Sequence, residues 1–133
     1  DSDWISYRYL EKPGADYALY FVYDHQIDKN EPDPLGLIVL KSHSDGRMEW
    51  VDMVASKASA KQLLSAALKL TSEQQAVELF TWMTPSAAEW LQDSGAQIRE
   101  TGVVVPGCNF NSAQHALRIK DKWWLMGGDS DFR

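Results

Sequence analysis

Apolar residues in the first half of the chain come in short, partly alternating runs, which is the pattern of β-strands. Such runs lie at residues 4–11, 17–23, 35–41 and 47–55. Between the last two runs, Ser44-Asp45-Gly46 is a typical turn sequence. Residues 35–55 are therefore predicted to form a hairpin.

From residue 60 onward, the apolar positions change to a spacing of three and four residues. They are Ala60, Leu63, Leu64, Ala67 and Leu68. This spacing predicts an amphipathic helix with one buried face. Ser59 followed by Gln62 is a capping-box pattern, which places the predicted start of the helix near Ser59.

The second half of the chain predicts further strands at residues 77–83, 97–105, 117–119 and 122–126. Thr84-Pro85 is an N-cap followed by proline, and it begins a second predicted helix that ends before Gly95. Strands alone precede the first helix, and strands then alternate with helices. This order predicts an α/β fold, equally describable as α+β, with a mixed sheet of six or seven strands and two main helices.

Composition and charge limit the classes of function. We predict a single domain over residues 1–133, because 44 % hydrophobic residues in a chain of this length can form one core. The net charge of −6 and the lack of a dense Lys/Arg cluster argue against nucleic-acid or membrane partners. Cys108 is the single cysteine, and the three histidines have no ligand spacing, so we predict no disulfide and no metal site. We expect a cytoplasmic protein.

The junction between the hairpin and the first helix is the best candidate for a ligand site. A strand, a polar link of small residues at 56–59 and a helix N-terminus follow one another there. The first N–H groups of a helix carry partial positive charge and attract anions. The same residues could equally be an ordinary capped helix start, with Lys57 and Lys61 on a solvated face.

Several segments together resemble the GNAT superfamily of acetyl-CoA-dependent N-acyltransferases. They are residues 36–40, 49–55, 59–70 and 88–96, together with 123–131 at the end of the chain. The resemblance covers the chain from about residue 17 to its end. It implies an acyl-CoA-dependent N-acyltransferase-like domain that acts on an amine acceptor, with acetyl-CoA or another acyl-CoA as co-substrate.

The resemblance also implies roles for particular residues. The acyl-CoA would contact Met53, Val54, Ala55, Ser56, Lys57, Ala58, Ser59 and Lys61. Glu49 and Asp52 are the carboxylates best placed to take the proton from the amine. Strand carboxylates more often just face water, so this role competes with a structural one.

Two departures from the family leave an alternative function open. The stretch 56–62, which matches the family's glycine-containing pyrophosphate loop, has no glycine, and Trp90 and Leu91 stand where many members have a tyrosine acid. The alternative is a non-catalytic interaction or accessory domain that keeps the fold. Few residues precede the first matching strand, so the chain would be a degenerate relative or the C-terminal portion of a longer protein. Exposed aromatics near residues 4–9 would indicate a homodimer or a missing N-terminal domain.

Overall fold

The computed structural model describes residues 5–11, 16–24, 33–103, 122 and 124–127, and its centre is a mixed sheet. Four strands lie in spatial order: β1 (Tyr17–Val22), β2 (Gly36–Ser42), β3 (Met48–Ala55) and β4 (Leu79–Phe80). The first three pair antiparallel, and β4 pairs parallel to β3. The prediction of a mixed sheet with antiparallel pairing early in the chain is confirmed.

Helix α1 (Ala60–Glu73) connects the parallel strands β3 and β4. A single 3₁₀ turn, Lys57–Ser59, comes directly before it. Helix α2 (Pro85–Ala88) runs into a second 3₁₀ turn, Glu89–Leu91. Near the start of the chain, Ser6–Leu10 forms a π-helical turn.

The sheet is covered on both faces, by different parts of the chain. Helix α1 packs on one face, where the buried residues are Ile38, Leu40, Met48, Trp50, Met53, Ala60, Leu63, Ala67, Leu91 and Met126. On the opposite face, Tyr9 of the π-helical turn packs on Val39 and Val51. Burial on both faces explains why β3 is almost continuously buried rather than alternating.

Gly36 marks a close approach between β2, β3 and α1. A Cβ atom at this position would lie 2.5 Å from the carbonyl oxygen of Val54 and 3.0 Å from Cδ2 of Leu63. Glycine is the residue that lets the backbone of β2 and these neighbours come together.

The predicted strand at residues 4–11 is wrong for its described part, residues 5–11. The N–H of Glu11 donates instead to the carbonyl of Ser6, which closes the π-helical turn. The turn buries Tyr9 against the sheet while Tyr7 and Leu10 stay exposed. Packing of one ring therefore outweighed the local preference of aromatic residues for strands.

In the described part of the second half of the chain, the predicted strands are longer and more numerous than the observed ones. The predicted strand 77–83 is reduced to Leu79–Phe80, and residues 97–103 form no strand. Met83 and Met126 form an isolated antiparallel bridge, while the prediction for 117–119 falls outside the described residues. The described part of the sheet therefore has four strands, not six or seven. The second predicted helix is observed as α2 continued by the 3₁₀ turn Glu89–Leu91, and it ends before Gly95 as predicted.

None of the helices in the described segments has the length and apolar character needed to cross a membrane.

Candidate functional site

The candidate site begins where β3 and β4 part. Only Met48 and Glu49 of β3 pair with β4, opposite Leu79 and Phe80. Strand β3 nevertheless runs on to Ala55 and then leads into the 3₁₀ turn and α1. Along residues 50–55, β3 therefore keeps β2 as its partner and has no β4 partner among the described residues.

The start of α1 is formed by a short capped turn. Ser56 has extended backbone, and its carbonyl and Oγ both accept from the N–H of Ser59, at 3.0 and 3.2 Å. The N–H of Ala60 donates to the carbonyl of Lys57. Ser59 was predicted to cap the helix, but it occupies the N-cap position of α1 without a side-chain cap bond. Two of the amides at this helix start therefore already have partners.

The polar side chains at the junction face solvent. Ser56, Lys57, Ala58 and Lys61 are all exposed, and Ser59 is half-buried. Two lysine charges thus lie within one helical turn of the positive end of the α1 dipole, in a chain whose net charge is −6. An anion reaching this end of the sheet would meet donors at the surface rather than an enclosed pocket.

A β-bulge at Val51 shapes the middle of β3. Leu40 pairs with Trp50 and Val39 pairs with Asp52, so Val51 is an extra residue in β3. The bulge lets Val51 and Asp52 both reach the face that carries Tyr9, although they are consecutive.

The bulge also uses backbone groups of β3 internally. The indole Nε1 of Trp50 donates to the carbonyl of Asp52 at 3.0 Å, and the N–H of Met53 donates to Oδ1 of Asp52 at 2.8 Å. The Met53 amide, which we expected to be available to an acyl-CoA, thus has a partner within its own strand. Val54, the next residue, is 54 % exposed, and Ala55 is half-buried.

Asp52 is a buried carboxylate with a buried donor. It is 6 % exposed, and its Oδ2 accepts a hydrogen bond from the hydroxyl of Tyr9. Burial of Tyr9, followed by its hydrogen bond to Asp52, raises the pKa of the phenol well above its ordinary value. The hydroxyl therefore stays protonated and remains a donor throughout the physiological range.

Glu49 is buried as well, at 2 % exposure, beside the loop that joins β2 and β3. Its Oε2 lies 2.9 Å from Nε2 of His43. The His43 ring lies 5.4 Å from the ring of Phe80, and the guanidinium of Arg47 lies 4.7 Å from the same ring. Phe80, at the end of β4, thus packs against the turn between β2 and β3, and Glu49 holds His43 in place.

The loop between β2 and β3 has its own ion pair, which involves Asp45 and Arg47. Nε of Arg47 lies 2.7 Å from Oδ2 of Asp45, and the Arg47 N–H donates to Oδ1. These hydrogen bonds lower the pKa of Asp45. These bonds stabilise the turn between β2 and β3, in which His43 lies.

The residues predicted from the sequence do not converge. Glu49 and Asp52 project to the face opposite α1, because Met48 and Trp50 on either side of Glu49 pack under the helix. Glu49 also precedes Ser56 by seven residues, about 23 Å along a strand. The residues at 53–61 cluster at one end of β3, whereas the pair of Glu49 and His43 lies at the other.

The partners of both carboxylates lie outside the local sequence patterns that predicted the strands. Tyr9 is 43 residues from Asp52 and was assigned to a strand, so nothing in the local pattern could pair them. His43 has no ligand spacing to the other histidines, but its position just after β2 and the hairpin pairing place it near Glu49. Hairpin register was the one signal that could have found that pair.

Comparisons with known proteins give no support for a family assignment: no family model, no curated protein and no solved structure matches the chain.

Proposed function

We propose that this chain is a GNAT-like domain that binds an acyl-CoA at the junction of β3 and α1 and presents the thioester to an amine. The observation that carries the proposal is the side of β3 along residues 50–55 that has no β4 partner among the described residues, which runs from the parting of the two strands to the start of α1. A ligand with an extended arm and an anionic end has the matching shape. Its arm would lie along the end of β3, and its phosphates would lie near the helix start.

Recognition of the phosphates rests mainly on side chains in this proposal. The amides of Ser59 and Ala60 are engaged in the 3₁₀ turn, so they donate weakly or not at all to a ligand. Lys57 and Lys61 are exposed side-chain donors at this place, and the Ser56 hydroxyl lies 2.9 Å from the Ser59 hydroxyl, with which it shares a hydrogen bond. Binding should therefore depend strongly on ionic strength, because exposed charges are screened by salt.

Glu49 and Asp52 have structural roles in this proposal and do not act as bases. Each is buried and bonded to a specific partner, and neither lies at the start of α1. In the transfer step, the amine nitrogen attacks the thioester carbonyl carbon and the carbon–sulfur bond breaks. Solvent water accepts the amine proton, and the thiolate takes a proton from water. The protein contributes by positioning the two reactants.

A second candidate is a non-catalytic interaction domain that keeps the sheet but binds no acyl-CoA. The internal bonds at Asp52 and Met53 favour it, because they occupy backbone groups that an extended ligand would otherwise use. The two candidates differ in one property that is simple to measure, which is binding of acetyl-CoA to the folded chain.

Thermal melting with and without acetyl-CoA tests the proposal. With a dissociation constant of about 10 µM, about 1 mM ligand adds about 2.7 kcal/mol to the free energy of unfolding. A gain of that size raises the melting temperature by several degrees. No shift at millimolar acetyl-CoA would overturn the proposal in favour of the interaction domain.

Reversing the charges of two lysines tests whether acetyl-CoA binds at the start of α1. Lys57→Glu combined with Lys61→Glu should remove most of the ligand-dependent shift. Lys69→Glu is the matched control, because Lys69 is an exposed lysine near the other end of α1. An equal loss of the shift in both variants would mean that the ligand responds to net charge and has no site at the helix start.

A further inference from the structure

Strand β1 is an edge strand of the sheet in the part of the chain that the structure describes. It pairs with β2 on one side, and along its other side no strand pairs within the described segments. Its six residues include no charged residue and no proline. Edge strands normally carry such residues because they prevent pairing with another chain. The outer edge of β1 therefore offers backbone donors and acceptors in an apolar setting.

The face of the sheet beside this edge is also apolar and partly open. Phe21, Leu37 and Val54 form a row across three strands. Leu37 is buried, but Phe21 is 62 % exposed. Together with Ile5 and Leu35, the row lines a shallow groove of about 290 Å³. A strand added at β1 would extend the row and cover Phe21.

We propose that β1 pairs antiparallel with β1 of a second copy of this chain, which joins two four-stranded sheets into one. An edge strand without charged residues or proline can pair with another uncharged, apolar strand, and β1 is itself such a strand. Such a contact is isologous: each copy gives and receives the same set of hydrogen bonds.

Cross-strand side-chain pairs select the register of the dimer. A two-fold axis perpendicular to the sheet keeps each face on its own side, and an axis near the middle of β1 passes at Leu19 or at Tyr20. An axis at Tyr20 would set Leu19 of one copy opposite Phe21 of the other and leave Tyr17 outside the strand pair.

The register centred on Leu19 gives favourable side-chain pairs. It sets Tyr17 of one copy opposite Phe21 of the other, twice per dimer, and Leu19 opposite its own copy. Aromatic pairs across strands are among the more stabilising ones. One six-residue strand pair is nevertheless a small contact compared with the roughly 1,200 Å² of a stable interface. The dimer should therefore dissociate on dilution.

The first test measures mass in solution from micromolar to millimolar chain concentration. We expect a monomer–dimer equilibrium in the wild type. Phe21→Lys should weaken the dimer at least tenfold, because it places a charge within the pair. Val77→Lys is the control: Val77 is 79 % exposed and lies just before β4, at the other side of the sheet. A monomer at every concentration would overturn the proposal, as would a dimer that Phe21→Lys leaves unchanged.

The second test fixes the register and does not depend on Phe21→Lys folding. In a Cys108→Ser background, Leu19→Cys should form an intermolecular disulfide on oxidation, because facing residues are within disulfide reach. Tyr20→Cys should not, since its nearest copy is offset along the strand. Cross-linking of Tyr20→Cys in place of Leu19→Cys would refute the register, and cross-linking of neither would refute the strand pair.

Discussion

Replacing Tyr9 with phenylalanine tests whether the hydrogen bond to Asp52 holds the start of the chain on the sheet. The substitution removes the donor and keeps the ring, which is 3 % exposed and packs edge to face on Tyr17 with ring centres 5.3 Å apart. In this variant, Asp52 would still accept a hydrogen bond from the Met53 N–H but would lose the one from the Tyr9 hydroxyl. Hydrogen bonds to charged groups contribute about 1.5–3 kcal/mol, so we expect a loss of that size in the free energy of unfolding at pH 7.

The same bond should make this loss depend on pH. Burial and the hydrogen bond to Asp52 raise the pKa of Tyr9 above its ordinary value of 10.0. Above pH 10 the unfolded chain releases the Tyr9 proton while the folded chain keeps it, so the wild type loses about 1.4 kcal/mol per pH unit from this group. Below pH 10 the Tyr9 hydroxyl is protonated in both the folded and the unfolded chain, so its full contribution to the free energy of unfolding is present. The wild type and Tyr9→Phe should therefore converge by about pH 12.

Urea unfolding followed by tryptophan fluorescence measures both effects, at neutral pH and at steps above pH 10. Tyr7→Phe is the matched control, because Tyr7 lies on the same π-helical turn and is 75 % exposed. It should behave like the wild type. The reasoning is refuted if Tyr9→Phe is as stable as the wild type at pH 7, or if the gap stays constant above pH 10.

Three further substitutions test other parts of the structure. Gly36→Ala should lower the free energy of unfolding by about 1–3 kcal/mol, because its Cβ would meet the backbone of β3; an unchanged melting temperature would mean that β2 and β3 can separate freely. Ser56→Ala removes the hydroxyl that caps the 3₁₀ turn and should cost about 0.5–2 kcal/mol, whereas Ser65→Ala within α1 should be neutral or stabilising. Equal effects of the two serine variants would contradict the capping role. Glu49→Gln should lower stability by about 1–3 kcal/mol through its contact with His43 and leave acetyl-CoA binding unchanged; lost binding in a stable variant would return Glu49 to the ligand site.

The pattern of apolar positions alone predicted the middle of the chain well. Strands expected at 17–23, 35–41 and 47–55 are observed at Tyr17–Val22, Gly36–Ser42 and Met48–Ala55. The long helix begins at Ala60, one residue after the predicted cap. These segments each carry a sustained period over many residues, and they connect through a short hairpin turn and a capped helix start. Local preference and final packing agree there, so sequence was sufficient.

Only the tertiary structure decided the burial and the hydrogen-bond partners of the two carboxylates on β3. The alternation of Glu49 and Asp52 with apolar residues was compatible with exposed side chains, but both are buried because the far face of β3 is covered. The cover over Asp52 is Tyr9, which is distant in the chain and lies in a segment whose composition predicted a strand. The bulge at Val51, which turns Asp52 toward that cover, depends on the register with β2.

The sequence by itself thus determined the three long strands and the long helix in the middle of the chain, because the periodicity of each of these segments matches the element it forms. The tertiary structure decided how far β4 follows β3, which face of the sheet each carboxylate meets and whether the amides of Met53, Ser59 and Ala60 are already bonded. Those properties arise from contacts between residues that are far apart along the chain, and no local pattern carries them.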